Sequence, residues 1–337
     1  MYFYLCRITI QKTVYRFSEV YMTKTGKEIG ILQIGAIFLS VPALARGLRC
    51  LGYRSDIMVF ERHPFGFDPD YYHSLDGSLK SLTRLLTRWS IQFIGDYSVF
   101  HFHVRSFTAS GIDLLFLRTL GKRVVVHHHG SDLRQWGEKN TFNRFAHDIL
   151  VSTPDLIKWS PRATYLPSPI ALDSYINVGV EKKGANERIC IVHAPSKRSV
   201  KGTELIIKII NELKESGYNV ELNLVEKMLH KEAIEVYKKA DIIIDQINDL
   251  GVHGMVSIEA MALGKPVICS VKSEYGEYYP SIPIISSNEL ELKSELITLL
   301  EDGSLRRDLG QKGRKYVESN HDSIKIASRL EKIYNIH

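Results

Sequence analysis

The chain has 337 residues, 44% of them hydrophobic and 24% charged, a globular composition that suits two domains of ordinary size. The net charge is +6 and no basic stripe is interleaved with aromatics, which argues against a nucleic-acid binder and fits anionic ligands or an anionic membrane surface. Four cysteines, Cys6, Cys50, Cys190 and Cys269, lie far apart, which excludes a disulfide framework or zinc ribbon and points to a reducing compartment; no run reaches the ~20 apolar residues of a membrane span.

Residues 1–21 are aromatic and basic, without the apolar core or cleavage site of a signal peptide, and Met22 opens a more natural start. From residue 29 strand and helix alternate. A buried strand over 29–34, a Gly35-Ala36 turn, a helix over 41–51 and a strand over 56–60 form the opening βαβ of a doubly wound sheet. The turn lacks a full G-x-G-x-x-G, so it reads either as a plain tight turn or as a backbone approach to a ligand. Residues 61–76 form a polar, aromatic-rich loop in which Asp68-Pro69-Asp70 mimics a metal-holding aspartate pair, and a helix follows over 78–94.

Two strand ends then gather histidines. Side chains alternate along a strand, so His101 and His103 share one face, as do His127 and His129. Four imidazoles can bind zinc, but metal sites usually include a carboxylate or cysteine. Other readings are contact with a ligand and, for His128 especially, satisfaction of buried backbone carbonyls. Arg105, Ser106 and Arg134 are candidate ligand or phosphate contacts. A strand over 149–152 follows, and the polar stretch 173–187 reads as a linker.

The second half repeats the layout: a strand at 189–193, a helix at 203–216, strands at 220–225 and 241–245 around a helix at 231–239, and helices over 290–301, 304–319 and 322–334. Thr203 is a candidate cap for its helix, which would place Arg198 and Lys201 at a helix N-terminus as an anion site. The most informative stretch is residues 251–270, GVHGMVSIEAMALGKPVICS. It reads as a loop, a helix over 255–263 stopped by Gly264, and a strand over 267–269. Glu259 sits between Ile258 and Ala260. It is either a ribose-hydroxyl acceptor, as acidic residues are in dinucleotide folds, or a solvated helix position.

This stretch resembles the donor-site signature of retaining GT-B glycosyltransferases of the family 4 type, an acidic residue followed by "EAMA-x-G-x-P-V". His129-Gly130-Ser131-Asp132 looks like that family's "H-G-[ST]-D" turn, and Tyr165-Leu166-Pro167-Ser168-Pro169 resembles the segment closing its first domain. One position departs: Gly251 stands where the family usually has a further glutamate, and the nearest acid is Asp249.

The resemblance implies a GT-B fold, two Rossmann-like domains facing a cleft. Their expected bounds are 22–172 on the acceptor side and 188–320 on the nucleotide-sugar side, with a terminal helix in 321–337 crossing back to the first domain. It implies Arg198 and Lys201 on the donor pyrophosphate, Glu259 on the ribose and His129 on the donor sugar, with Asp132 beside it. Gly35 and the backbone of Met255, Val256 and Ser257 are further donor contacts, and His101, His103 and Arg105 belong to the acceptor side. The implied activity is metal-independent, cofactor-free transfer of a sugar, with retention, from a nucleotide-diphosphate sugar to a glycan or lipid-linked acceptor. Cell-surface polysaccharide or lipopolysaccharide assembly is the expected setting, in the cytoplasm or peripherally at the inner face of an anionic membrane. A GT-B sugar-nucleotide epimerase and a non-catalytic nucleotide-sugar or glycan-binding relative remain alternatives.

Overall fold

A computed structural model of the chain describes residues 29–35, 39–61, 66, 68–73, 93–108, 110–137, 141–184 and 187–336. The N-terminal segment, the alternative start at Met22 and most of the helix expected over 78–94 lie outside these residues.

Two parallel sheets organise the molecule. The first has seven strands: β1 (Gly30–Gly35), β2 (Arg54–Val59), β3 (Tyr71–Tyr72), β4 (Val99–His103), β5 (Arg123–His128), β6 (Asp148–Val151) and β7 (Thr164–Tyr165), in the order β3-β2-β1-β4-β5-β6-β7. The second has five: β8 (Ile189–His193), β9 (Val220–Leu224), β10 (Ile242–Ile244), β11 (Val267–Cys269) and β12 (Ile285–Ser286), in the order β12-β11-β10-β8-β9. Strands in such sheets are buried on both faces, which is why β1, β8 and β10 are nearly continuous apolar runs. The order reverses between β1 and β4 in the first sheet and between β8 and β10 in the second. Those switch points open crevices at the carboxyl ends of the strands, where ligands bind in such sheets.

Three short strands, β3, β7 and β12, went unread in the sequence. Two residues carry no periodicity, and sheet-edge pairing alone creates them. Asp70 accepts hydrogen bonds from Arg49 at 2.6 Å and from the Ile57 backbone at 2.9 Å, pinning the loop to the sheet.

Helices cover both faces. On one side of the first sheet, Leu114 and Leu117 of α2 (Ile112–Thr119) pack with Leu32, Ile34 and Phe100. On the other lie α1 (Ser40–Cys50) and the last helix, α10 (Ser323–Tyr334). Between them come α3 (Ser131–Trp136), α4 (Arg198–Lys201), α5 (Thr203–Glu215), α6 (His230–Lys238), α7 (Met255–Ala262), α8 (Leu292–Glu301) and α9 (Gly303–Asn320). In the second half, α5 and α8 cover one face through Ile206, Ile210, Leu292 and Leu296, and α6, α7 and α9 cover the other.

Helix α10 belongs to the first core although it ends the chain. Its N-cap Asp322 accepts from the Ile324 and Lys325 backbones, and Ile326, Ala327, Leu330 and Tyr334 pack with Ile31, Leu44, Leu48 and Val125. Close approach to α1 depends on Gly47, where a Cβ would lie 2.2 Å from the Ser323 carbonyl oxygen. Gly47→Ala therefore forces the two helices apart. We expect it to destabilise the chain by about 1–3 kcal/mol, read as a lower denaturant midpoint at unchanged slope.

Candidate functional site

The histidines of the first sheet meet at its switch point. Parallel register sets Gln33 beside His101, Gly35 beside His103, and His103 beside His127. The rings stack in pairs, His101 on His103 with centroids 4.4 Å apart and His127 on His129 at 4.3 Å. His103 shares hydrogen bonds with Gln33 Oε1 at 2.8 Å and with His129 Nε2 at 2.9 Å, while Ser152 Oγ bridges His127 at 3.0 Å and His129 at 2.9 Å. His101 bonds the Tyr334 hydroxyl of α10 at 2.7 Å. His101 and His103 are fully buried, so the expected contact of these two with an acceptor does not hold; they form the floor beneath His129. His129 alone of the four is part-exposed. One nitrogen each of His101, His103 and His127 lies within 4.8 Å of the others, and all three rings are buried.

Among the described residues His128 is bonded by side chains. Its Nδ1 donates to Asp132 Oδ2 at 2.6 Å, its Nε2 bonds Asn143 Oδ1 at 2.9 Å, and the Gly130 backbone donates to Asp132 Oδ1. Asp132, expected beside the donor, is thus buried and occupied in shaping the turn that presents His129. Burial raises its carboxyl, but His128 outweighs this and holds it below the ordinary range. Gly35 is placed for a tight approach: a Cβ there would stand 2.3 Å from the His103 carbonyl oxygen. Arg105 is exposed and paired with Glu61 at 3.1 Å, Ser106 donates to the Thr108 carbonyl, and Arg134 makes a two-pronged pair with Asp155 at 2.8 and 2.9 Å.

The second switch point centres on Asp245, just past β10, which sequence reasoning overlooked. Its carboxylate is fully buried. Oδ1 accepts from Lys201 Nζ at 2.8 Å; Oδ2 accepts from the Gly254 backbone and from Ser257 Oγ, both at 2.7 Å. Burial raises this carboxyl, yet Lys201 outweighs it and keeps the group below its usual value. Lys201 also donates to Gln246 Oε1 at 2.6 Å. Lys201 is consequently held in place by a buried counter-ion. Met255 and Val256, expected donor contacts with Ser257, are half-buried at the start of α7.

Two expectations for this region change. Thr203 does not cap α5; the preceding residue is Gly202, and Thr203 Oγ1 instead bonds His193 Nε2 at 2.9 Å. Arg198 lies in the separate single turn α4, where it pairs with both oxygens of Glu226 at 2.9 and 2.7 Å and with Glu204 at 3.2 Å.

Glu259 is not a solvated helix position: it is 1% exposed. Its Oε1 accepts from the Tyr175 hydroxyl at 2.7 Å and from His230 Nε2 at 2.5 Å. The position of the family's other glutamate is closed to a side chain. Gly251 has φ +71°, a left-handed conformation that disfavours a glutamate, and a Cβ would fall 2.3 Å from Lys272 Cγ.

Residues 208–316 match the family model described as Glycosyl transferases group 1. No curated protein matches the chain. Among solved structures, Anabaena HepE in complex with UDP and glucose aligns with TM-score 0.64 at 13% identity, covering 91% of this chain and all of that one. An alpha-glucosyltransferase in complex with UDP and a 13-mer DNA aligns with TM-score 0.60 at 13% identity, covering 91% and 99%. A putative UDP-N-acetylglucosamine 2-epimerase from Listeria monocytogenes reaches 0.55 at 15%, covering 90% and 94%.

Burial lowers His101, His103 and His127 well below 6.5 and brings His129 to about 4, so the unfolded chain binds protons that the folded chain refuses. Stability is full above pH 6.5 and falls as pH drops toward 4. His127→Gln reduces that slope by up to about 1.4 kcal/mol per pH unit, measured by denaturant titration across the interval. Asp245→Ala leaves Lys201 without its buried counter-ion and costs about 3–5 kcal/mol in the same assay.

Two Rossmann-like sheets with ligand crevices at their switch points, and a group 1 glycosyltransferase match over 208–316, make the fold GT-B and the chain one that resembles the glycosyl transferases of group 1.

Proposed function

We propose that the protein transfers a sugar from a nucleotide-diphosphate sugar to a glycan or lipid-linked acceptor, with retention at the anomeric carbon. The observation that carries this reading is Glu259. A buried carboxylate inside a short apolar helix costs free energy unless it is paired, and its described partners occupy one oxygen only. A ribose hydroxyl supplies a fitting partner for the other. The group 1 match spans this helix, and the HepE and alpha-glucosyltransferase structures are complexes with UDP, which makes UDP-sugars the first donors to try.

In this reading the donor pyrophosphate lies across Lys201 and Arg198. As the bond to the sugar breaks, negative charge grows on the leaving phosphate, and fixed cations favour that state over the ground state. Lys201 is already oriented by Asp245. Arg198 must exchange Glu226 for phosphate, so donor binding and release of that ion pair are linked. His129, above its buried imidazole floor, faces the sugar. Its neutral ring at physiological pH suits hydrogen bonding to hydroxyls rather than pairing with a charge. The leaving phosphate takes the acceptor proton on the same face. No resident metal or cofactor enters this scheme.

The acceptor, the assembly of cell-surface polysaccharide or lipopolysaccharide, and a cytoplasmic position at an anionic membrane belong to the same proposal. No helix among the described residues is long and apolar enough to cross a membrane. A sugar-nucleotide epimerase is the second reading, supported by the likeness to the Listeria protein. It would release nucleotide without any acceptor.

Calorimetry with UDP-, GDP-, ADP- and TDP-sugars tests the proposal. One donor binds the wild type, and Glu259→Ala weakens it about 10- to 100-fold. Binding of none of the four would sink the reading. Nucleotide release equal with and without glycan acceptors would favour the epimerase.

A further inference from the structure

Resting on that functional reading, we propose that His230 is a specificity residue that reads the donor's ribose together with Glu259. Three side chains from separate parts of the chain meet here: Tyr175 from the stretch joining the two sheets, His230 from the first turn of α6, and Glu259 from the middle of α7. Tyr175 and His230 both converge on Glu259 Oε1, and the Tyr175 hydroxyl lies 3.4 Å from His230 Nε2. Among the described residues none donates to Glu259 Oε2, and that atom is not among the wholly enclosed polar atoms. The carboxylate thus has one committed oxygen and one available.

The exposures of the pair differ sharply. The Glu259 side chain is 1% exposed and that of His230 is 21% exposed. Tyr175 is buried too. The only member of the trio that meets solvent appreciably is the imidazole, so a ligand that reaches the Glu259 carboxylate passes His230. A vicinal diol has two hydroxyls to place. The 3′-hydroxyl donates to Glu259 Oε2, and the 2′-hydroxyl lies against the His230 ring. Removing the 2′-hydroxyl takes away the polar group that the His230–Glu259 pair is placed to read, a loss that sites built to bind a hydroxyl reject strongly. A pairing that served only to neutralise a buried glutamate would contribute stability without any preference between ribose and 2′-deoxyribose.

That difference is measurable on the full-length chain. Titration with uridine, guanosine, adenosine and thymidine diphosphates first identifies the base that binds. The ribo and 2′-deoxyribo forms of that diphosphate are then compared for wild type, His230→Ala and Tyr175→Phe, with melting temperatures recorded alongside. The wild type is expected to favour the ribo form about 10- to 100-fold. His230→Ala should reduce this preference about tenfold through weaker ribo binding, with the deoxy form little changed. Tyr175→Phe removes a buried partner of the same oxygen and should weaken both forms alike. The assignment fails if His230→Ala keeps the wild-type preference, if the wild type favours the deoxy form, or if Tyr175→Phe collapses the preference equally. Each of these outcomes leaves the donor-binding reading intact. Failure of the wild type to bind any of the four diphosphates removes both. A His230→Ala chain that does not fold is replaced by His230→Gln, whose amide keeps a donor toward Glu259; that variant should retain more of the ribo preference than any residue without one.

Discussion

A buried carboxylate at a strand end is costly unless both oxygens are paired, and Asp245 meets that condition by drawing three separate segments to itself. Lys201 comes from the end of α4, Gly254 from the loop ahead of α7 and Ser257 from the first turn of α7. Removing this one side chain would loosen the loop and the helix start together and leave the lysine with Gln246 alone among its described partners. The position of Glu259 along α7 follows from the same anchor, because a helix whose first turn is fixed carries its later residues to fixed places. The geometry proposed for the donor therefore depends on a residue that itself faces no ligand.

The first sheet solves a related problem by different chemistry. Neutral imidazoles stack and share hydrogen bonds through Ser152 and Gln33, so a polar layer is buried without burying charge. Its energetic condition is that the rings stay unprotonated, and burial secures that. The layer joins the end of α10, through Tyr334, to His129 at its opposite edge. The last helix of the chain thus meets the histidine layer through the Tyr334–His101 hydrogen bond as well as by apolar packing, and ring stacking carries the contact on from His101 to His103.

Much of this was legible beforehand. The alternation of apolar runs with amphipathic stretches predicted parallel sheets, and α5, α7 and β11 fall within a residue of their expected bounds. The period-two placement of the histidines on one face was readable from their spacing. Partner choice was not. Spacing alone could not tell that Arg198 would take Glu226, 28 residues onward, or that His128 would find Asp132. Asp245 escaped notice because an aspartate after three isoleucines resembles an ordinary strand end. Its only signal was a charge directly following a fully buried run.

By itself the sequence determined the two-fold α/β layout, the family resemblance at residues 251–270 and the candidate roles of Glu259, Lys201 and His129, because periodicity and local motifs are properties of neighbouring residues. Only the tertiary structure decided which oxygens are occupied and which side chains are buried. It seated Tyr175 and His230 on Glu259 from positions 84 and 29 residues away. It also closed the Gly251 position to a glutamate by setting a left-handed backbone against Lys272. These facts depend on long-range packing, in which the loss of solvent from a charged group is compensated by whatever partner the fold brings within reach.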